Sequence, residues 1–164
     1  MSIVSTAIGR VVVAVLFLTL GMIGCQPDVR HVRGYDCSDL RDKYLQKPRK
    51  TLIAEFGDHD IEKQYAIYIC GNQYMHPPFL GLADAFAEEG AKVVGFLKTR
   101  LLEAEGDDST VRDIVYVFSE MQRLKTYDVI GDDDLMRIMV ERVRMIKSDG
   151  WREISERRLS RIRG

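Results

Sequence analysis

Between Val111 and Leu124 the apolar residues Val111, Ile114, Val115, Phe118, Met121 and Leu124 recur at intervals of three and four. That period is the turn of an α-helix and not the two-residue repeat of a strand. Ser109 and Thr110 stand just before the run. A hydroxyl there can accept from the orphan amides of a first helical turn. The spacing predicts an amphipathic helix over 110–124, with Arg112, Asp113, Glu120 and Gln122 mostly off its apolar face. A helix with one apolar stripe is marginal alone in water and must bury that stripe against other elements.

The same pattern fills most of the chain. Asp58-His59-Asp60 offers caps for a helix over 61–74, with Ile61, Tyr65, Tyr68, Ile69 and Asn72 on one stripe. Met75-His76-Pro77-Pro78 breaks it, because a residue before proline avoids the helical region. Helices follow over 79–89 and 91–105, parted by Gly90, and over 133–147 behind a run of three aspartates. Ser148-Asp149-Gly150 punctuates, and Trp151, Ile154, Leu159 and Ile162 mark a final basic helix. Upstream, 38–46 reads as a short helix stopped by Pro48, and 51–56 fits strand or helix. Five or six amphipathic helices with short loops predict an all-α fold. The layout resembles paired-helix repeats of the HEAT or armadillo kind, which run ~40–47 residues. There is no internal sequence repetition, so the expectation divides between a short HEAT-like solenoid and a compact irregular helical bundle.

The start of the chain has a different character. Arg10 precedes an apolar run over 11–23, followed by Gly24-Cys25, and no Asp or Glu occurs before Asp28. A membrane-spanning helix needs about 20 apolar residues, whereas a secretory signal needs roughly 7–15. The run therefore suits export better than a permanent anchor. Together with Met22-Ile23-Gly24-Cys25 it resembles a bacterial lipoprotein signal peptide with its lipobox. Met22 stands where leucine is commonest, which makes the match weaker there. The resemblance covers about the first 27 residues. It implies that 1–24 is removed and that Cys25 carries a diacylglycerol, usually with a further amide-linked chain such as palmitate. Two or more buried chains anchor stably, at ~0.8 kcal/mol per methylene. Gln26 in place of aspartate implies sorting to the outer membrane, facing the periplasm. A plain secretory signal and an uncleaved anchor are the competing readings.

Residues 25–36, with Pro27 and Gly34, read as a lipidated tether, and 37–164 as a single helical domain. With 24 bases against 25 acids the formal net charge is −1, which gives no field for nucleic acid. An exported protein meets an oxidising compartment. Cys37 and Cys70 are the only cysteines beyond Cys25, and their pairing would close a loop of about 34 residues, worth about 3–4 kcal/mol. Both being free thiols is the other reading.

Sites of chemistry are sparse. The chain has 3 histidines, scattered, and neither a zinc motif, a nucleophile elbow nor a Gly-rich phosphate loop. Asp58-His59-Asp60 reads as capping with His59 exposed. No catalytic residue, metal or cofactor is expected. Tyr65, Tyr68, Tyr74, His76 and Phe79 cluster around one proline turn, and tyrosine favours contact surfaces. They are the candidate binding patch, with helix packing as the alternative. The C-terminal arginines 152, 157, 158, 161 and 163 suit anionic headgroups, an acidic partner, or a solvated face. The expected function is that of a membrane-anchored envelope lipoprotein whose helical domain binds a protein without catalysis, in its specific form an immunity or inhibitor protein. The alternative is a small envelope hydrolase acting on cell wall or lipid.

Overall fold

The computed structural model describes residues 31–74 and 81–164. The signal segment, Cys25, His76 and Phe79 lie outside the described residues. Within them the chain forms a two-stranded hairpin, β1 (His31–Val32) and β2 (Tyr35–Asp36), followed by eight α-helices. These are α1 (Cys37–Leu40), α2 (Arg49–Phe56), α3 (Ile61–Tyr74), α4 (Gly81–Glu88), α5 (Ala91–Glu103), α6 (Asp108–Leu124), α7 (Asp133–Arg144) and α8 (Asp149–Arg163). A π-helical turn, Arg41–Leu45, prolongs α1.

The helix starts follow carboxylates and hydroxyls that accept from free amides. The Lys63 amide donates to Asp60 at 2.9 Å and the Leu135 amide to Asp132 at 2.9 Å. Ser148 caps α8 through the Trp151 amide at 3.5 Å. At α6 the cap is Asp107 rather than Ser109 or Thr110. Its carboxylate accepts from the Thr110 amide at 3.2 Å and from both hydroxyls. The ambiguous 51–56 stretch is helical, with Leu52 and Phe56 buried.

The architecture is a compact helical bundle. In a solenoid each repeat touches only its neighbours. Here α6 packs against α3, α4, α5, α7 and α8, so the HEAT-like arrangement gives way to helices gathered around a central one. The cause is the composition of α6 itself. Val117 extends its apolar surface beyond the expected stripe, and Asp113 and Glu120 are also buried. One hydrophobic cluster runs from Cys37 to Ile162. Cys37 and Cys70 sit as a disulfide pair, Cα atoms 5.3 Å apart, fastening α1 to α3.

Two turns depart from the sequence reading. The end of the expected tether is structured, since His31 pairs with Asp36 and Val32 with Tyr35. Its two-residue loop places Arg33 and Gly34 at φ of 54° and 84°, the positive pair of a type I′ hairpin turn. Gly90, between α4 and α5, has φ 58° and ψ −134°. A Cβ there would lie 2.7 Å from the Thr126 carbonyl oxygen. The Thr126 hydroxyl in turn donates to the Ala87 carbonyl at 2.7 Å, so the α4–α5 turn is pinned to the end of α6.

Two glycines therefore respond oppositely to alanine. Gly90→Ala meets both a forbidden backbone region and the Thr126 carbonyl, and should cost about 2 kcal/mol or more. Gly95 lies inside α5 with open space around its Cα, so Gly95→Ala should stabilise by about 0.5–1 kcal/mol. Urea unfolding of the two variants reads the contrast, and equal shifts would contradict it.

Candidate functional site

Tyr65 and Tyr68 of the aromatic cluster lie in the core of the bundle rather than on its surface. Every residue from 64 to 72 is buried, because α1, α4, α6 and the hairpin pack around α3. Tyr68 is shut in the core, where its hydroxyl donates to the Asp113 carbonyl at 2.9 Å. Tyr65 is buried with its ring edge-on to Phe96 at 5.5 Å. Tyr74 is half-buried, with the Arg41 guanidinium 5.5 Å from its ring centre. A buried tyrosine needs a partner for its hydroxyl, and Tyr68 finds it on a distant helix.

Tyr65 instead lines a cavity of about 270 Å³ between the hairpin, α3, α5 and the start of α6. Arg100 forms one wall and is 8% exposed. Its guanidinium lies 4.7 Å from the Phe96 ring centre, with Nη1 2.5 Å from Glu103 and Nη2 3.4 Å from Glu62. Arg33, from the hairpin turn, reaches Glu62 at 3.5 Å and Glu103 at 3.8 Å. Two arginines and two glutamates thus close on one another. Burial pushes the Tyr65 hydroxyl well above its ordinary range, so it stays a neutral donor. The cavity offers shape and internally balanced charge.

A second concavity lies along α7, bordered by Arg163 at the end of α8. Met136, Val140 and Met145 form its floor, and Arg137, Glu141, Arg144 and Arg163 stand around it, enclosing about 680 Å³. Met136 and Val140 pack their inner sides on the core, and Met145 is 47% exposed. The sequence places Leu135, Ile138, Met139 and Val143 inward, which leaves positions 136, 140 and 144 as a strip one turn apart on the flank. Arg137 pairs with Asp134 and Glu141. Among the described residues Arg144 and Arg163 have no side-chain partner. The remaining C-terminal bases are mostly engaged. Arg152 donates to the Ile146 carbonyl at 3.0 Å, Arg157 to Glu153 at 2.7 Å, and Arg158 lies 4.1 Å from the Tyr116 ring centre.

Asp58-His59-Asp60 is a capping segment, as its sequence suggests. His59 is half-buried rather than exposed, because its ring packs edge-on to Tyr44 at 5.1 Å. Among the described residues no three His, Cys, Asp or Glu side chains are placed to hold a metal ion, and no helix is long and apolar enough to cross a membrane.

One buried acid was not legible in the sequence. Asp113 is 4% exposed, and its carboxylate meets the Arg112 guanidinium at 2.5 Å. Burial pushes the carboxyl up to about 6, against the pull of Arg112. No family model, curated protein or solved structure matches the chain.

The raised value fixes a sign. Between about pH 4 and 6 the folded chain binds the Asp113 proton more tightly than the unfolded chain does. This group's contribution is fully present below about pH 4 and is lost as pH rises through 6, on the order of 3 kcal/mol in all. Asp36, Asp132 and Asp134, held below the usual carboxylate range by hydrogen bonds, act in the opposite sense. The difference between wild type and Asp113→Asn therefore isolates the effect. Urea midpoints from pH 4 to 7 should diverge between the two proteins, and parallel profiles would refute the assignment.

Proposed function

We propose that this chain is an exported, lipid-anchored envelope protein whose helical bundle binds a protein partner without catalysing a reaction. The observation that carries the binding half is the α7–α8 groove, whose partly exposed floor of Met136, Val140 and Met145 lies beside Arg144 and Arg163, which have no side-chain partner among the described residues. The anchoring half rests on the resemblance of Met22-Ile23-Gly24-Cys25 to a lipobox. A Cys37–Cys70 disulfide suits the oxidising side of the envelope. On this reading Cys25 holds the protein at the outer membrane, facing the periplasm as Gln26 implies. The described fold begins at His31, so the chain between can reach no more than about 20 Å. The bundle would then stay close to the headgroups and present its partner site beside the membrane. The specific form of this reading is an immunity or inhibitor protein that captures a toxin or hydrolase arriving in the same compartment.

Cells expressing wild type or Cys25→Ala test the anchor. Wild type should take up labelled palmitate, show globomycin-sensitive processing and fractionate with the membrane. Cys25→Ala should lose the label and leave the membrane fraction. A variant that stays membrane-bound without label would replace the lipid anchor with an uncleaved helix.

A further inference from the structure

We infer that the α7–α8 groove seats an apolar helix flanked by acidic residues, contributed by a protein partner. This rests on the binding-module reading above and names the chemistry that the module would recognise.

The shape is that of a helix seat. Residues 136, 140 and 144 lie along one strip of α7, about 12 Å from end to end at 1.5 Å per residue. That is the length of two helical turns. A partner helix with apolar residues at i, i+4 and i+7 could lay them over Met136, Val140 and Met145, the mode in which an amphipathic helix enters an apolar groove. The charge selects its flanks. Arg144 and Arg163 border the floor and have no partner among the described residues. Arg137 is exposed and shared between Asp134 and Glu141, and Glu141 is the one acid lining the groove, so three bases face one acid there. Aspartate or glutamate beside the partner's apolar stripe would complete the two open guanidiniums, and lysine there would be repelled.

Two other occupants fit less well. A lipid surface is flat and reads net positive charge, whereas this surface is concave and its neighbouring bases alternate with Glu141 and Glu153 in ion pairs. A second copy would need an exposed apolar stripe of its own. Among the described residues the large apolar side chains that are exposed outside the groove are Ile53, Leu102, Ile130 and Trp151, each on a different helix or loop.

The test uses the full-length protein in detergent micelles and two fluorescein-labelled synthetic helices. Both carry leucine at i, i+4 and i+7. One has glutamate on its flanks and the other lysine. Fluorescence anisotropy should show the glutamate helix binding at least tenfold more tightly than the lysine helix. The double variant Arg144→Glu, Arg163→Glu should reverse that preference, and Val140→Lys should weaken the glutamate helix at least tenfold. Arg161→Glu, which changes an unpaired base off the groove, should leave the preference intact. All these positions are partly or fully exposed, and unchanged circular dichroism verifies folding.

Equal binding of the two helices would overturn the inference, as would a preference that survives the double reversal. Displacement of the glutamate helix by vesicles of phosphatidylglycerol, but not of phosphatidylcholine, would assign the groove to lipid. Sedimentation showing a wild-type dimer that the double variant splits would assign it to a second copy. Site-specific photo-cross-linking in cells separates this inference from the broader reading. Cross-links to a protein from other faces, with no helix binding at the groove, would overturn this inference and spare the module. Helix binding by a protein that takes up no palmitate would keep it and overturn the anchor.

Discussion

The bundle depends on a helix that is buried on nearly all sides while carrying charge. Asp113 and Glu120 of α6 are each 4% exposed, and an unpaired buried carboxylate would be costly. Each is answered by an arginine that also covers an aromatic ring. Arg112 pairs with Asp113 and lies 4.1 Å from the ring centre of Trp151, on α8. Arg158, on α8, reaches Glu120 at 3.6 Å and lies 4.1 Å from the ring centre of Tyr116, on α6. The two helices thus exchange an arginine for a ring in both directions. Such contacts contribute about 0.5–2 kcal/mol each, more when water is excluded. They matter because α8 is poor in apolar residues, with only Leu159 and Ile162 among its buried hydrophobics. Packing alone would hold it weakly.

The ends of α6 then place the outer elements. At its start, Asp108 accepts from the Lys147 and Ser148 amides at 3.0 and 2.8 Å, which ties down the turn between α7 and α8. Toward its end, the Gln122 side chain accepts from the Val129 amide at 2.8 Å, which fixes the loop leading into α7. Lys125 takes the left-handed position where glycine is usual, with the Thr126 amide bonded back to Met121 at 3.1 Å. Helix α7 is therefore held at both ends by one rigid neighbour. Its inward face is committed to the core, and the flank bearing Met136, Val140 and Arg144 is left outward by that constraint. A surface on a helix fixed in this way is more rigidly placed than one on a loop.

Much of this order was legible because it is local. The bounds of α3 followed from Asp60 as a cap, and Ser148 announced α8. Helical period alone gave the all-α class. What could not be read is non-local. Periodicity put Asp113 and Glu120 on an outer face of α6, since nothing in their own helix shows that α8 brings Arg158 and Trp151 across. The α3 tyrosines looked like a contact surface because a phenol suits both a surface and a core with a distant acceptor. Tyr68 finds its acceptor at the Asp113 carbonyl, 45 residues away. The hairpin was hidden for another reason. Arg-Gly lacks the Asn-Gly signal of a type I′ turn, and Arg33 takes a positive φ that its residue type seldom adopts. The disulfide pairing was accessible because only one pairing exists between two cysteines.

The two concavities differ in what a ligand could gain from them. In the cavity under the hairpin, Arg33 and Arg100 are already matched by Glu62 and Glu103, so a charged guest must displace an internal pair before it forms its own. Along α7 and α8 the situation is reversed. Arg144 and Arg163 are exposed and hydrated in the free protein, and contribute little to its stability in either direction. Their attraction for an acid strengthens only when water is pushed aside, and that happens only if the partner also covers Met136 and Val140. Apolar fit and charge therefore become one requirement. An acidic segment without an apolar stripe leaves the arginines in water, and an apolar segment with basic flanks is repelled. A groove built in this way would discriminate by combination, admitting only a segment that brings both.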